Sequence, residues 1–164
     1  MFEMLHVMQD TQLVCRLLFS LYLLSGTVMD LREKSVPRWW LFAGGALTLT
    51  LIIYPALAGG GTSTTDMPAF IMRAAGAAAG TVFLAVAWMK PQSFGTADAL
   101  LIVMIGVITG LWQLFYILMI AFSLAAFGGV IRWAVLKRRE EIAFIPFLTA
   151  GFIAEGVMVW QGMV

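Results

Sequence analysis

The sequence has few of the residues that hold metals or form disulfides. Its 164 residues include a single cysteine, Cys15, and a single histidine, His6. One cysteine excludes an internal disulfide and a cysteine-based zinc site. A catalytic histidine needs a partner that positions it, and His6 has no evident one in the sequence. We therefore expect any chemistry to depend on other side chains, with no metal and no cofactor.

Charged residues are also scarce. They make up 12% of the chain, against about 25% in soluble domains. Hydrophobic residues make up 62%, and the mean hydropathy is +0.95. This composition predicts an integral membrane protein. The net charge of +1 and the lack of a basic stripe interleaved with aromatic residues give no support for a nucleic-acid partner.

The apolar residues fall into six runs that predict transmembrane helices, each of which ordinarily needs about 20 residues. The runs cover roughly residues 13–30, 38–58, 69–89, 98–112, 114–136 and 142–163. The fourth and fifth are nearly continuous, but one helix over both would be about 58 Å long, against a hydrocarbon core of about 30 Å. We therefore expect a turn at residues 110–113 and one all-α domain of six membrane-spanning helices.

Basic residues predict the orientation of this bundle. The loops after the first, third and fifth runs hold most of the lysines and arginines, whereas the other side has only Arg16 and Arg73, inside helix ends. Since cytoplasmic loops are enriched in basic residues, these three loops are expected to be cytoplasmic and both termini extracytoplasmic. A cleaved signal peptide is the alternative for the first run, but its leading residues contain acids and no lysine, the wrong flank for a signal.

Small and aromatic residues give two further expectations. Gly76 and Gly80 are four residues apart in a run of alanines, a spacing that lets helices approach closely in lipid. Trp39 and Trp40 follow Pro37 at the start of the second run. We expect both tryptophans in the aromatic belt at the membrane–water interface.

Three of the nine acidic residues stand within or at the ends of the predicted helices. Asp30 closes the first run and Asp98 opens the fourth, so both are expected at the cytoplasmic mouth of the bundle. Each could be only a helix cap, but ionisable groups at membrane depth are costly and favour a functional role. Glu155 lies deeper, about 20 Å from the cytoplasmic end of its helix.

Two neighbouring carboxyl groups offer one specific kind of chemistry. Like charges at close range cannot both be held comfortably, so the pair shares a proton. The ionised member can deprotonate a water while the protonated member polarises a peptide carbonyl, as in aspartic proteases. Asp98 lies at the N-terminus of the fourth predicted helix, whose dipole favours negative charge there. We therefore assign the charge to Asp98 and the shared proton to Asp30.

Arg16 and Glu155 are expected to pair for a structural reason. Arg16 lies about as far from Asp30 along the first helix as Glu155 lies from the cytoplasmic end of the sixth. Both side chains should therefore reach a similar depth toward the outer face. An ion pair between them would bind the first helix to the last.

Three short motifs resemble those of the type IV prepilin peptidase (leader peptidase) family. In the first, Asp30 is followed seven positions later by a proline after an aliphatic residue, Val36-Pro37. The second, Gly95-Thr96-Ala97-Asp98, is similar to the family's GxGD motif with its aliphatic run. The third, Ile145-Pro146-Phe147, resembles the Ile-Pro-Phe/Tyr element at the start of the last helix.

The resemblance implies a GxGD-type aspartic endopeptidase of the inner membrane with Asp30 and Asp98 as catalytic pair. Such an enzyme removes the basic leader from type IV prepilins or pseudopilins at the cytoplasmic face. The resemblance makes Gly95, Ala97, Pro37 and Pro146 the residues of the active-site loop and motifs. Acidic residues could attract the basic leader, although solvated loops are the simpler interpretation of these three: Glu33, Glu140 and Glu141.

The sequence departs from the family pattern at two positions. Ala97 replaces the second glycine of GxGD, which narrows the allowed backbone conformations, and Leu148 replaces the glycine after the Ile-Pro-Phe/Tyr element. The chain also has no cysteine-rich cytoplasmic domain, which the long, N-methylating members have. It thus resembles the compact peptidases of tight-adherence (Flp) pilus systems, for which no methyltransferase activity is expected.

Other functions stay open at this point. A preflagellin or presenilin-like GxGD peptidase would share the two-aspartate chemistry. A non-catalytic membrane component, such as a pilus-assembly scaffold, would need neither acid for catalysis. A transporter is less consistent with the sequence, because transporters place charges or broken helices near the bilayer midplane.

Overall fold

The structure is a computed structural model that describes residues 2–33, 36–57, 67–89, 95–136 and 144–161. In these ranges the chain forms six α-helices and no strand, which confirms the predicted all-α class. The helices are α1 (Phe2–Glu33), α2 (Arg38–Leu57), α3 (Met67–Met89), α4 (Thr96–Thr109), α5 (Leu111–Leu136) and α6 (Ile145–Trp160).

The first helix is longer than the apolar run that predicts it. Helix α1 begins at Phe2, whereas the apolar run begins at residue 13. Residues 2–12 contain no glycine or proline, so nothing in them ends a helix. Hydropathy therefore locates the part of α1 that is apolar enough to span a membrane, Val14–Glu33, and not the start of the helix.

The turn between α4 and α5 lies where the length of the combined run requires one. Gly110 separates the two helices and has a φ of +92°, a conformation that side chains with a Cβ rarely adopt. Its N–H donates to the carbonyl of Gly106 at 2.9 Å, and its carbonyl accepts from the N–H of Leu114 at 3.0 Å. One glycine is thus enough to reverse the chain.

Three of the described helices contain segments long and apolar enough to cross a membrane: Val14–Glu33, Phe70–Met89 and Leu111–Ile131. The other three are apolar but shorter, over Arg38–Ile53, Thr96–Thr109 and Ile145–Trp160. Large apolar side chains such as Phe42, Phe70 and Phe127 are exposed on the outside of the bundle. These features support contact with a lipid bilayer, while crossing by all six helices stays a prediction.

Glycines bring α3 and α4 into direct backbone contact. A Cβ at Gly76 would overlap the carbonyl oxygen of Gly106, and a Cβ at Gly106 would overlap that of Gly76. One turn along, a Cβ at Gly80 would lie 2.6 Å from the Cα of Val103. The structure confirms that Gly76 and Gly80 mark a helix interface, the close approach that replaces hydrophobic driving force in lipid.

The two tryptophans of α2 have different surroundings. Trp39 is 64% exposed, but Trp40 is only 4% exposed and stacks on Tyr22 of α1 with ring centroids 4.0 Å apart. Its indole N–H donates to Ser25 Oγ at 3.1 Å, and Tyr22 Oη donates to its backbone carbonyl at 3.0 Å. The expectation of an interfacial belt is thus wrong for Trp40, which joins α1 to α2 in the core.

Helices α1 and α6 pack antiparallel. Thr27 Oγ1 lies 2.8 Å from Thr149 Oγ1, and farther along the pair Phe19 meets Phe152 edge to face, with centroids 5.4 Å apart. Contacts therefore move toward the N-terminus of α1 as they move toward the C-terminus of α6. This arrangement places the end of α1 beside the start of α6.

Candidate functional site

Asp30 lies where the last turn of α1 meets the first residue of α6. Its side chain is largely buried, with 9% exposed, and its carboxylate accepts a hydrogen bond from the backbone N–H of Ile145. The first N–H groups of a helix have no partner inside that helix. Asp30 therefore provides one of these groups with an acceptor from a different helix.

One oxygen of this carboxylate is left without a partner. Asp30 Oδ2 is buried and makes no hydrogen bond to the part of the chain that the structure describes. A buried polar atom without a partner is costly, and such exceptions in folded proteins call for an explanation. A bound water or a substrate group would supply the missing partner.

Asp98 occupies the third position of α4 and turns back over the residue that precedes the helix. Gly95 is the N-cap, with extended backbone (φ −67°, ψ 131°) and no side-chain cap bond. A Cβ at this position would lie 2.9 Å from Asp98 Oδ2 and 3.5 Å from its Cγ. The missing side chain of Gly95 therefore leaves the space that the Asp98 carboxylate occupies.

The two acids lie within electrostatic reach of each other. Asp30 and Asp98 are 68 positions apart in sequence, and the fold brings each within range of the other's charge. Both carboxyl groups also stand at helix N-termini, Asp98 in the first turn of α4 and Asp30 against the first amide of α6. A helix N-terminus thus favours negative charge on either acid, and the assignment of the charge to Asp98 stays a prediction.

The motif residues around the acids have definite places. Ala97 is the second residue of α4, and a helical backbone accommodates alanine without strain, so glycine is not required there. Pro146 is the second residue of α6, where its lack of an N–H does little harm. The carbonyl of Pro37 accepts the N–H of Trp40 at 3.0 Å and so begins α2.

Of the three acids expected to attract a basic leader, the structure describes one. Glu33 is the exposed last residue of α1, on the same end of that helix as Asp30. Glu140 and Glu141 lie outside the described residues. Attraction of a leader by these acids therefore stays a prediction.

Arg16 and Glu155 meet on the other half of the α1–α6 interface. Arg16 Nη1 lies 2.9 Å from Glu155 Oε2 and 3.1 Å from Oε1. Glu155 is 1% exposed and the Arg16 side chain 21% exposed. The structure thus brings these two residues together at a distance from Asp30 and Asp98, in a contact that joins α1 to α6.

Two polar contacts near the acids are not evident from the sequence. Thr27 and Thr149 lie next to each other between α1 and α6, and the only hint of this is that both are hydroxyl residues in apolar helices. The donor to Asp30, the N–H of Ile145, is a backbone group and leaves no trace in the pattern of side chains.

Two carboxyl groups within electrostatic reach of each other, one of them with a buried free oxygen, have the chemistry to share a proton and activate a water molecule. Comparison with family models, with curated proteins and with solved structures gave no match for this chain.

Proposed function

We propose that this chain is a membrane aspartic endopeptidase of the type IV prepilin peptidase kind, in the compact form without a methyltransferase domain. The observation that supports this most strongly is that Asp30 of α1 and Asp98 of α4 lie within electrostatic reach of each other. The three motifs that resemble the family surround this pair: one begins with Asp30, one ends with Asp98, and one supplies the amide of Ile145 that binds Asp30.

The proposed reaction is hydrolysis of a peptide bond between two carboxyl groups. The ionised carboxylate takes a proton from water, and the water oxygen bonds to the peptide carbon. The protonated carboxyl group gives its proton to the carbonyl oxygen. In the collapse of the resulting diol, the first carboxyl group gives the proton it took from water to the amide nitrogen and the C–N bond breaks. One diol hydroxyl returns its proton to the second carboxylate, so the pair again holds one proton. The products are the leader with a free carboxylate and the mature chain with a free amine.

The proposed substrate is a prepilin or pseudopilin with a basic leader and a hydrophobic helix. The enzyme would lie in the inner membrane, with both termini extracytoplasmic and the two aspartates at the cytoplasmic face. The basic residues that follow the first, third and fifth apolar runs of the sequence support this orientation. Glu33 is exposed at the end of α1, where an acidic group would attract a basic leader.

A second candidate is a non-catalytic membrane component with the same fold. One observation favours it: both acids stand at helix N-termini, and a carboxylate at such a position stabilises a helix without any chemistry. The buried free Oδ2 of Asp30 argues against it, because a cap needs no empty acceptor. Preflagellin and presenilin-like peptidases would use the same pair and differ only in substrate.

The test is leader removal by the purified protein in lipid vesicles. A prepilin encoded near its gene serves as substrate, and mass spectrometry of the product N-terminus reads the cut. We expect cleavage at the leader boundary and no transfer of a methyl group from S-adenosylmethionine to the new amine. An intact prepilin would favour the non-catalytic component, and a methylated product would contradict the compact, peptidase-only form.

A further inference from the structure

The first turn of α6 has one amide that is free to bind a group outside the helix. The amides of Phe147 and Leu148 both donate to the carbonyl of Phe144, at 3.0 and 3.1 Å. Pro146 has no N–H. The amide of Ile145 thus remains, and it donates to the carboxylate of Asp30.

We propose that the N-terminus of α6 positions Asp30 for catalysis, so that Oδ2 of Asp30 is the oxygen that transfers a proton in the reaction. The amide of Ile145 donates a hydrogen bond to the Asp30 carboxylate, and Oδ2 of that carboxylate is buried without a partner among the described residues. This inference rests on the proposed peptidase function and assigns a role to an element that contains neither aspartate. Ile145 and Pro146 are positioning residues in this account.

The register between α1 and α6 is fixed close to this contact. Thr27 lies three residues before Asp30, and its hydroxyl meets that of Thr149, four residues after Ile145. Thr149 Oγ1 also donates to the carbonyl of Ile145 at 2.9 Å, and the carbonyl of Leu23 lies 3.4 Å away as a weaker, alternative acceptor. One helical turn from the site, then, the two helices cannot slide past each other without breaking hydrogen bonds in an apolar interface.

The residues in the first turn of α6 also help to hold the amide that binds Asp30. Proline at the second helical position has a φ that is already set for the helix, which holds the start of α6 in place. Ile145 itself is 1% exposed and part of the main hydrophobic core. Its side chain thereby anchors the amide that Asp30 binds. A fixed donor of this kind keeps a carboxylate in one orientation, and a misplacement of about 1 Å can cost about a hundredfold in rate.

The test replaces single amides by esters, which removes one N–H and leaves the side chain unchanged. Cell-free synthesis into lipid nanodiscs would place the α-hydroxy analogue of isoleucine at position 145. The matched control places the α-hydroxy analogue of leucine at position 148, whose amide donates to Phe144, a carbonyl that keeps the N–H of Phe147. Both full-length proteins are assayed for kcat, KM and thermal unfolding with a prepilin substrate.

We expect the ester at 145 to lower kcat by about tenfold or more, with KM unchanged, because the substrate still binds but Asp30 is no longer held. The ester at 148 should change kcat by less than about twofold. Equal losses at both positions, or a normal kcat with the ester at 145, would overturn the positioning role.

Failure of the inference and failure of the proposed function are distinguishable in the same series. If Asp30→Asn abolishes cleavage while the ester at 145 does not alter kcat, the peptidase stands and the positioning role falls. If the unmodified protein cleaves no prepilin, both fall, since no oxygen reacts. The amide resonance of 15N-labelled Ile145 is a readout without activity. It should shift in Asp30→Ala, and an unchanged resonance would exclude the hydrogen bond.

Discussion

Arg16 Nη1 contacts both carboxylate oxygens of Glu155, at 2.9 and 3.1 Å, and thereby links the first helix to the last. The two side chains differ in burial, because Glu155 is 1% exposed while the Arg16 side chain is 21% exposed. Together with the threonine pair and the contact between Asp30 and Ile145, it sets how α1 lies against α6.

Removing Arg16 should destabilise the protein more than neutralising Glu155. Arg16→Met leaves a buried carboxylate without its cation, at a cost of about 3–5 kcal/mol. In Glu155→Gln the remaining arginine is partly exposed and can extend toward the interface. Chemical unfolding in detergent measures both variants and their combination. Purely additive losses in the double variant would show that the pair contributes no coupling.

Gly76→Ala should separate α3 from α4. The new Cβ would overlap the backbone carbonyl of Gly106, and a backbone atom cannot move aside as a flexible side chain can. We expect a loss of more than about 1 kcal/mol in unfolding free energy. Gly156→Ala is the matched control, since a Cβ there meets nothing within 4 Å, and it should be neutral or slightly stabilising. Similar losses in both variants would contradict the close α3–α4 contact.

Gly95→Ala should impair cleavage while the protein stays folded. A Cβ would lie 2.9 Å from Asp98 Oδ2, so the carboxylate has to move from its place. We expect kcat to fall by about ten- to a hundredfold, with a change in stability of about 1 kcal/mol or less from the altered cap. Thr96→Ala, at the exposed next position, is the control. Unchanged kcat in Gly95→Ala would show that Asp98 does not need this space.

Ala97→Gly, which restores the GxGD pattern, should bring no gain in activity. Ala97 is helical, so the wider range of backbone conformations open to glycine is not needed in the first turn of α4. It should instead lower stability by up to about 1 kcal/mol, the difference in helix propensity. Thermal unfolding and the cleavage rate are measured on one preparation. A clear rise in kcat would indicate that the active conformation differs from a helical first turn.

Much of the fold follows from hydropathy and length. Six apolar runs correspond to six helices, and the excess length of residues 98–136 predicts the turn that Gly110 makes. The contact between Arg16 and Glu155 follows from counting residues along two helices that run in opposite directions. The start of α1 does not follow from hydropathy. Residues 2–12 contain no helix breaker and extend the helix, but they are too polar to belong to the apolar run.

The details of the site depend on neighbours that a single sequence does not show. Trp40 is buried because Tyr22 and Gly26 of α1 form a surface for its indole, although the pair Trp39-Trp40 suggests an interfacial belt. Helices that are apolar on all sides carry little information on which face meets which partner. The donor to Asp30 is a backbone amide, so the sequence predicts the acid but not its partner.

The two aspartates are the centre of this account. Asp30→Asn and Asp98→Asn change one oxygen to nitrogen in each side chain and keep its shape. Each variant, purified in lipid vesicles and shown to be folded by its unfolding transition, is given the prepilin substrate, and leader removal is read by mass spectrometry. We predict that cleavage is lost in both variants, by about a thousandfold or more. Full cleavage by either folded variant would contradict the two-aspartate mechanism.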